Sequence, residues 1–163
     1  LWIAAVQKEM IRLLGQAGTK DELEDCIQGA FNYYQQALRA LKANLVAPER
    51  LVINGKVSYA LEAYKVSTAS VRAARQLQAA GMPVKPGMRV RLVYICGEPD
   101  VMAWDLGKKV DPADLDSAKY VELLIRAASS VLSPFGVSVD ILREWSLSDA
   151  LQLHISSWRY CLG

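Results

Sequence analysis

A chain of 163 residues, 52% hydrophobic and 22% charged, is long enough for one ordinary domain or two small subdomains, and this composition excludes a disordered chain. No apolar run reaches the ~18 residues that a membrane-spanning helix needs. Net charge is only +2, but between Arg50 and Arg91 eight basic residues stand with the single acid Glu62, a net +7, while the remainder holds 11 basic and 16 acidic residues, a net −5.

The opening, Leu1 to Lys8, lacks an initiator Met and the three regions of a signal peptide, and the chain is read as a piece of a longer one. Ile3, Val6, Met10 and Leu13 recur at helical spacing and predict a helix over 2–14, ended by Gly15 to Gly18. Thr19-Lys20-Asp21-Glu22 has the form of a capping box, in which hydroxyl and carboxylate each satisfy a free backbone N–H. Leu23, Cys26, Ile27, Ala30, Phe31, Tyr34, Ala37, Leu38 and Leu41 then mark one apolar face of a long helix, with its aromatic residues read as core. Pro48 and Asn54-Gly55 bracket Leu51-Val52-Ile53, a short buried strand or extended segment.

Ala60 to Tyr64 reads as a short helical stretch. A helix over 69–80 follows, capped by Ser67 or Thr68, with Gly81 at the left-handed C-terminal position. On it Arg72, Arg75, Gln76 and Ala79 share one side, and Val71, Ala74 and Leu77 another. Pro83 and Pro86-Gly87 form a turn into the best strand candidate, 89–96. Alternation there puts Arg89 and Arg91 on one face and Val90, Leu92 and Tyr94 on the other. A loop from Gly97 to about Asp114 contains Trp104. Asp116 or Ser117 caps a helix to about Leu132 with a narrow polar stripe of Lys119, Glu122, Arg126, Ser129 and Ser133. Pro134-Phe135-Gly136 ends it. The tail holds one or two helical pieces with Trp145 and Trp158. The fold class is therefore α+β, predominantly α-helical, with a small β element.

Catalytic chemistry finds little support. Nucleophilic catalysis needs a base beside the nucleophile, and the only histidine, His154, near the C-terminus, reads as an ordinary surface or packed residue; no GxSxG, Walker-type or GxGxxG loop occurs. Cys26, Cys96 and Cys161 are odd in number, far apart and without a CxxC, which reads as buried free thiols in a reducing compartment. Asp105, Asp111, Asp114 and Asp116 cluster in sequence. Paired aspartates can hold Mg²⁺, but turn formation and helix capping account for these without a metal. No catalytic or metal site is expected in this chain. What remains is the basic segment. Lys56, Ser58, Lys65, Arg72, Arg75, Arg89 and Arg91 can bind a sugar–phosphate backbone if the strand and the helix over 69–80 face the same way. The competing reading is a solvated face whose charges are never gathered.

Leu51-Val52-Ile53, Leu61-Glu62-Ala63-Tyr64-Lys65, Val71 to Leu77, Gly81 and Val84-Lys85-Pro86-Gly87-Met88-Arg89-Val90 follow one another in a pattern that resembles the thumb of archaeal and bacterial family B DNA polymerases. Asp116-Ser117-Ala118-Lys119-Tyr120 is similar to that family's D-x-x-x-Y, followed by a long helix and Phe135-Gly136. After Tyr120 the chain reads Val121-Glu122-Leu123-Leu124, where many members carry a second aromatic and an Asn-Gln pair. The resemblance covers about residues 1–145. It implies a thumb with a helical pair following the palm (1–45), a basic DNA-facing segment with short strands (46–115) and C-terminal helices (116–163). It implies primer–template DNA and the polymerase's palm and exonuclease domains as partners, no membrane, and a cytoplasmic, nucleoid-associated setting. By position it adds Tyr64 and Lys119 to Lys56, Ser58, Lys65 and Arg75 as DNA contacts, while Arg72, Arg89 and Arg91 rest on charge. The parent would be a DNA-directed DNA polymerase, with Mg²⁺ in its palm. This chain would itself be non-catalytic and without a cofactor. The alternatives are a non-catalytic nucleic-acid-binding module or the thumb of an inactivated paralogue, and a helical protein-interaction domain.

Overall fold

The computed structural model describes residues 2–147. Its elements are α1 (Trp2–Leu14), α2 (Lys20–Lys42), β1 (Ile53–Lys56), α3 (Ala69–Ala79), β2 (Arg89–Tyr94), β3 (Val101–Ala103), α4 (Ser117–Leu132) and α5 (Val139–Leu147), joined by short 3-10 turns. They form two units, one of Asn44–Lys119 and one of Trp2–Ala43 with Tyr120–Gly163, of which residues to 147 are described. The architecture is α+β and predominantly helical. No helix among the described residues is long and apolar enough to cross a membrane.

In the helical unit, α1 buries Trp2, Val6 and Met10 and packs on α2. The capping box that starts α2 is complete. Thr19 Oγ1 accepts the Glu22 N–H at 3.2 Å, and Glu22 Oε2 accepts the Thr19 N–H at 3.2 Å and that of Gly18 at 2.7 Å. Phe31, Tyr34, Leu38 and Leu41 are buried, as core residues should be. From α1, Gln7 Nε2 donates to the Ala127 carbonyl at 3.1 Å and to Ser130 Oγ at 2.6 Å on α4. Ser146 Oγ on α5 donates to the Leu142 carbonyl at 2.6 Å, so the Tyr34 hydroxyl, 2.8 Å away, is the donor to Ser146. Burial pushes the Tyr34 phenol above its usual value and keeps that proton in place. Trp145 lies edge-on to Phe31, with centroids 5.4 Å apart. Within the expected polar stripe of α4, Ser129 is buried. Trp158, His154 and Cys161 lie outside the described residues.

In the other unit, a three-stranded antiparallel sheet in the order β1-β2-β3 packs one face on α3. Val71, Ala73, Ala74 and Leu77 of the helix meet Val90 and Leu92 of β2 and Val101 and Ala103 of β3. Thr68, not Ser67, caps α3, accepting the Val71 N–H. Gly81 (φ +80°) donates to the Gln78 carbonyl and Met82 to that of Leu77, each at 3.0 Å, so the left-handed glycine closes the helix as expected. Asp116 is the cap of α4, accepting the Lys119 N–H at 2.9 Å.

Four expectations are corrected. Asn54-Gly55 is not a turn after a 51–53 strand: both residues lie inside β1, and Leu51 and Val52 are buried ahead of it. The reason is close approach. A Cβ on Gly55 would sit 1.8 Å from Ser70 Oγ and 2.7 Å from Ser70 Cβ, so the glycine lets α3 lie against the sheet. Second, the 97–114 segment is not all loop, because it contains β3, whose three residues are too few to show an alternation. Third, β2 stops pairing at Tyr94. Ile95 makes only a single bridge, to Leu115. Fourth, Cys96 is exposed and Cys26 half-buried, so neither thiol is a fully buried one.

β3 is an edge strand, and Gln76 of α3 meets its outer side. Gln76 Nε2 donates to the Val101 carbonyl at 2.7 Å, and Gln76 Oε1 accepts the Ala103 N–H at 2.9 Å. The side-chain amide thus satisfies two backbone groups that no further strand pairs. Gln76→Ala is expected to cost about 1–3 kcal/mol, two hydrogen bonds at their usual net weight, measured as a lower urea midpoint at unchanged m. An unaltered midpoint would show that water replaces the amide without loss.

Candidate nucleic-acid interface

Alternation along the strands decides which side chains share a surface. Gly55, Val90 and Leu92 point to α3, so Asn54, Lys56, Arg89 and Arg91 point to the opposite face of the sheet. All four are exposed. The register places Lys56 directly opposite Arg89, and Asn54 opposite Arg91. Cross-strand partners have Cβ atoms roughly 5 Å apart, and like charges in that position repel. Neither Lys56 nor Arg89 makes an ion pair among the described residues. Arg91 differs. Its Nε donates to Asp105 Oδ1 at 2.9 Å, and its Nη2 donates to the same oxygen. Farther along this face Val93 is buried, an exception to the simple alternation, where the Trp104–Leu106 turn lies against β2.

Arg72 and Arg75 do not join this group. Their helix covers the other face of the sheet, and both lie on its side away from the core residues Val71, Ala74 and Leu77. Arg75 is exposed. Arg72 forks onto Asp100, Nε to Oδ1 at 2.8 Å and Nη2 to Oδ2 at 2.7 Å, and its Nη1 donates to the Ser67 carbonyl. The positive side chains of the basic segment therefore divide between two surfaces, and the sheet face is the one on which three of them gather.

The segment between β1 and α3 carries Ser58, Tyr64 and Lys65. Tyr64 folds back on it: its phenol oxygen accepts the Ser58 N–H at 2.6 Å and the Tyr59 N–H at 3.1 Å. Tyr64 thus has an anchoring role that sequence position alone did not reveal. Ser58 and Lys65 are exposed. Tyr64→Phe removes the acceptor from two exposed donors that water can reach, so a loss of about 1 kcal/mol is expected, with faster amide exchange at residues 58 and 59. Unchanged protection there would assign those N–H groups to another partner. Tyr59, unnoticed in the sequence, stands exposed with its ring 5.8 Å from that of Tyr64. Lys119 lies at the start of α4 with Nζ 5.4 Å from the centre of the Tyr94 ring. Burial raises the Tyr94 phenol above its usual value, which leaves a neutral ring beneath the ammonium.

Sequence reasoning placed Asp105 in an acidic cluster and passed over Asp100, and it did not find that these two acids hold Arg91 and Arg72. The only signal was their place in the first acidic stretch after the basic segment. Asp111 accepts the Ala113 N–H at 2.9 Å, and Asp116 caps α4.

No family model matches the chain. It is 28% identical over 117 residues to a DNA polymerase of Pyrococcus horikoshii, covering 69% of this chain and 9% of that relative. It is 25% identical over 126 residues to a DNA polymerase of Thermococcus sp. (strain 9oN-7), covering 72% of this chain and 16% of that one. The chain thus spans a small part of the length of the curated relatives that it matches. The family B DNA polymerase of the hyperthermophilic archaeon Pyrobaculum calidifontis has the same fold over 93% of this chain and 18% of its own, with a TM-score of 0.64 and 20% identity. These findings agree with the resemblance to family B DNA polymerases read from the sequence.

Proposed function

We propose, from this likeness to family B DNA polymerases, that residues 44–119 grip duplex DNA by its sugar–phosphate backbone, as the thumb of a polymerase. The observation that carries the reading is the opposition of Lys56 and Arg89. Two cations held side by side on a solvent-facing sheet, with no acid between them, are an unfavourable arrangement for the protein alone. A phosphate placed between them removes the repulsion and gains two charge-assisted hydrogen bonds. Exposed Lys65, Ser58 and Lys119 are further candidate contacts by resemblance.

Such contacts hold DNA without reading its sequence, which template-directed synthesis requires. The role is positional: a gripped primer–template turns each encounter into an intramolecular step. Nucleotide addition, with its Mg²⁺, belongs to the palm of the parent polymerase, and this chain contributes binding alone. Titration of the chain with labelled duplexes of unrelated sequence tests the reading. The expected result is similar affinity for each, with log K falling linearly in log[salt] by about 0.9 for every phosphate neutralised. Failure to bind any duplex at low salt would refute it.

A further inference from the structure

Two arginines of the basic segment are held by aspartates that follow β2, and the two pairs are built differently. Arg72 uses both carboxylate oxygens of Asp100 and spends its remaining Nη on the Ser67 carbonyl, so its donors on all three nitrogens are engaged. This is the fork geometry of a fixed pair. Arg91 reaches only one oxygen of Asp105, through Nε and Nη2, and its side chain is 53% exposed against 34% for Arg72. An exposed pair on a single oxygen is weak and exchanges readily. Arg91 also lies on the same face as Lys56 and Arg89, two residues along the strand from Arg89, whereas Arg72 lies on the helix that covers the other face.

We infer that Asp105 is an internal stand-in for phosphate: it holds Arg91 in reserve on the sheet face, and Arg91 joins Lys56 and Arg89 on DNA by exchanging this carboxylate for a phosphate oxygen. Asp105 is then a positioning residue that sets the strength of the grip. Asp100 has no such part, because the arginine it holds is committed to the protein. The inference rests on the reading of the sheet face as a DNA-binding surface.

The test compares D105N, D100N and the double variant R91Q/D105N with R91Q and the unaltered chain, in salt titrations of labelled duplex. D105N and D100N remove the same charge, so D100N controls for net charge. D105N is expected to bind about two- to fivefold more tightly at low salt, the weight of the exposed ion pair that no longer has to be broken, with a nearly unchanged salt slope because Arg91 meets a phosphate in both chains. D100N should show no such gain, and D105N should have no effect in the R91Q background. Equal gains in D100N and D105N, or a D105N gain that survives in R91Q, would overturn the inference. So would an unchanged D105N in a chain that does bind, while the DNA reading stands. A chain that binds no duplex at all brings down both.

Discussion

The Gly55→Ala variant is expected to lose about 3 kcal/mol or more of stability in the Asn44–Lys119 unit, beyond the usual cost of one added methyl in a packed interior. The added Cβ would lie 1.8 Å from Ser70 Oγ and 2.7 Å from Ser70 Cβ. Rotating the serine hydroxyl away relieves the first clash. It cannot relieve the second, because the Ser70 Cβ is fixed to the backbone of α3, and moving it means lifting the helix from the sheet and opening the core around Val71, Ala74, Val90 and Leu92. The next atom, Ser70 Cα, is 3.6 Å from the added carbon, an ordinary contact. Ser70→Gly should therefore rescue Gly55→Ala, although a glycine in the helix costs about 0.5–1 kcal/mol by itself. Urea unfolding of the four chains gives the coupling energy. Equal costs of Gly55→Ala in both backgrounds would mean that the approach of helix to strand is not what the glycine serves.

Lys56→Glu is expected to move stability and DNA affinity in opposite directions. In the folded chain it turns a repulsive cross-strand pair with Arg89 into an attractive one, worth about 0.2–1 kcal/mol. On DNA it removes one phosphate contact and places a carboxylate beside the backbone. The salt slope should fall by about 0.9, and affinity at low salt by tenfold or more, since a charge-assisted hydrogen bond is worth about 1.5–3 kcal/mol. Arg89→Glu should behave likewise. The double reversal restores like charges and returns stability towards that of the unaltered chain, while binding drops by about a hundredfold or more on the same per-contact weight. A variant that lost stability and affinity together would point to damaged folding. Unchanged affinity in the double reversal would remove the sheet face from the interface.

The long helices were legible because their apolar residues recur every three or four positions and their ends carry explicit signals. The capping box at Thr19 and the left-handed Gly81 are where the sequence places them. β3 was not legible: three residues give no period, and only its pairing with β2 makes it a strand. Asn54-Gly55 misled because the pair is a strong turn signal, and the helix that presses on Gly55 begins fourteen residues later. The common face of Arg89 and Arg91 followed from strand parity alone. The opposition of Lys56 and Arg89 did not, since register joins residues 33 positions apart. Nor could the sequence reveal which arginines are spent within the fold, because Asp100 and Asp105 find them only after β2 and the chain beyond it have turned back.

Gln76 has one more consequence. A sheet with an open border can recruit a like strand from another molecule and grow without limit. Here the carboxamide imitates the donor and acceptor of an incoming chain at the outermost strand. Any intruder must first evict it. That border of the sheet is thereby closed by a plug borrowed from its own helix, a guard against self-association through β3 that leaves the charged face unencumbered.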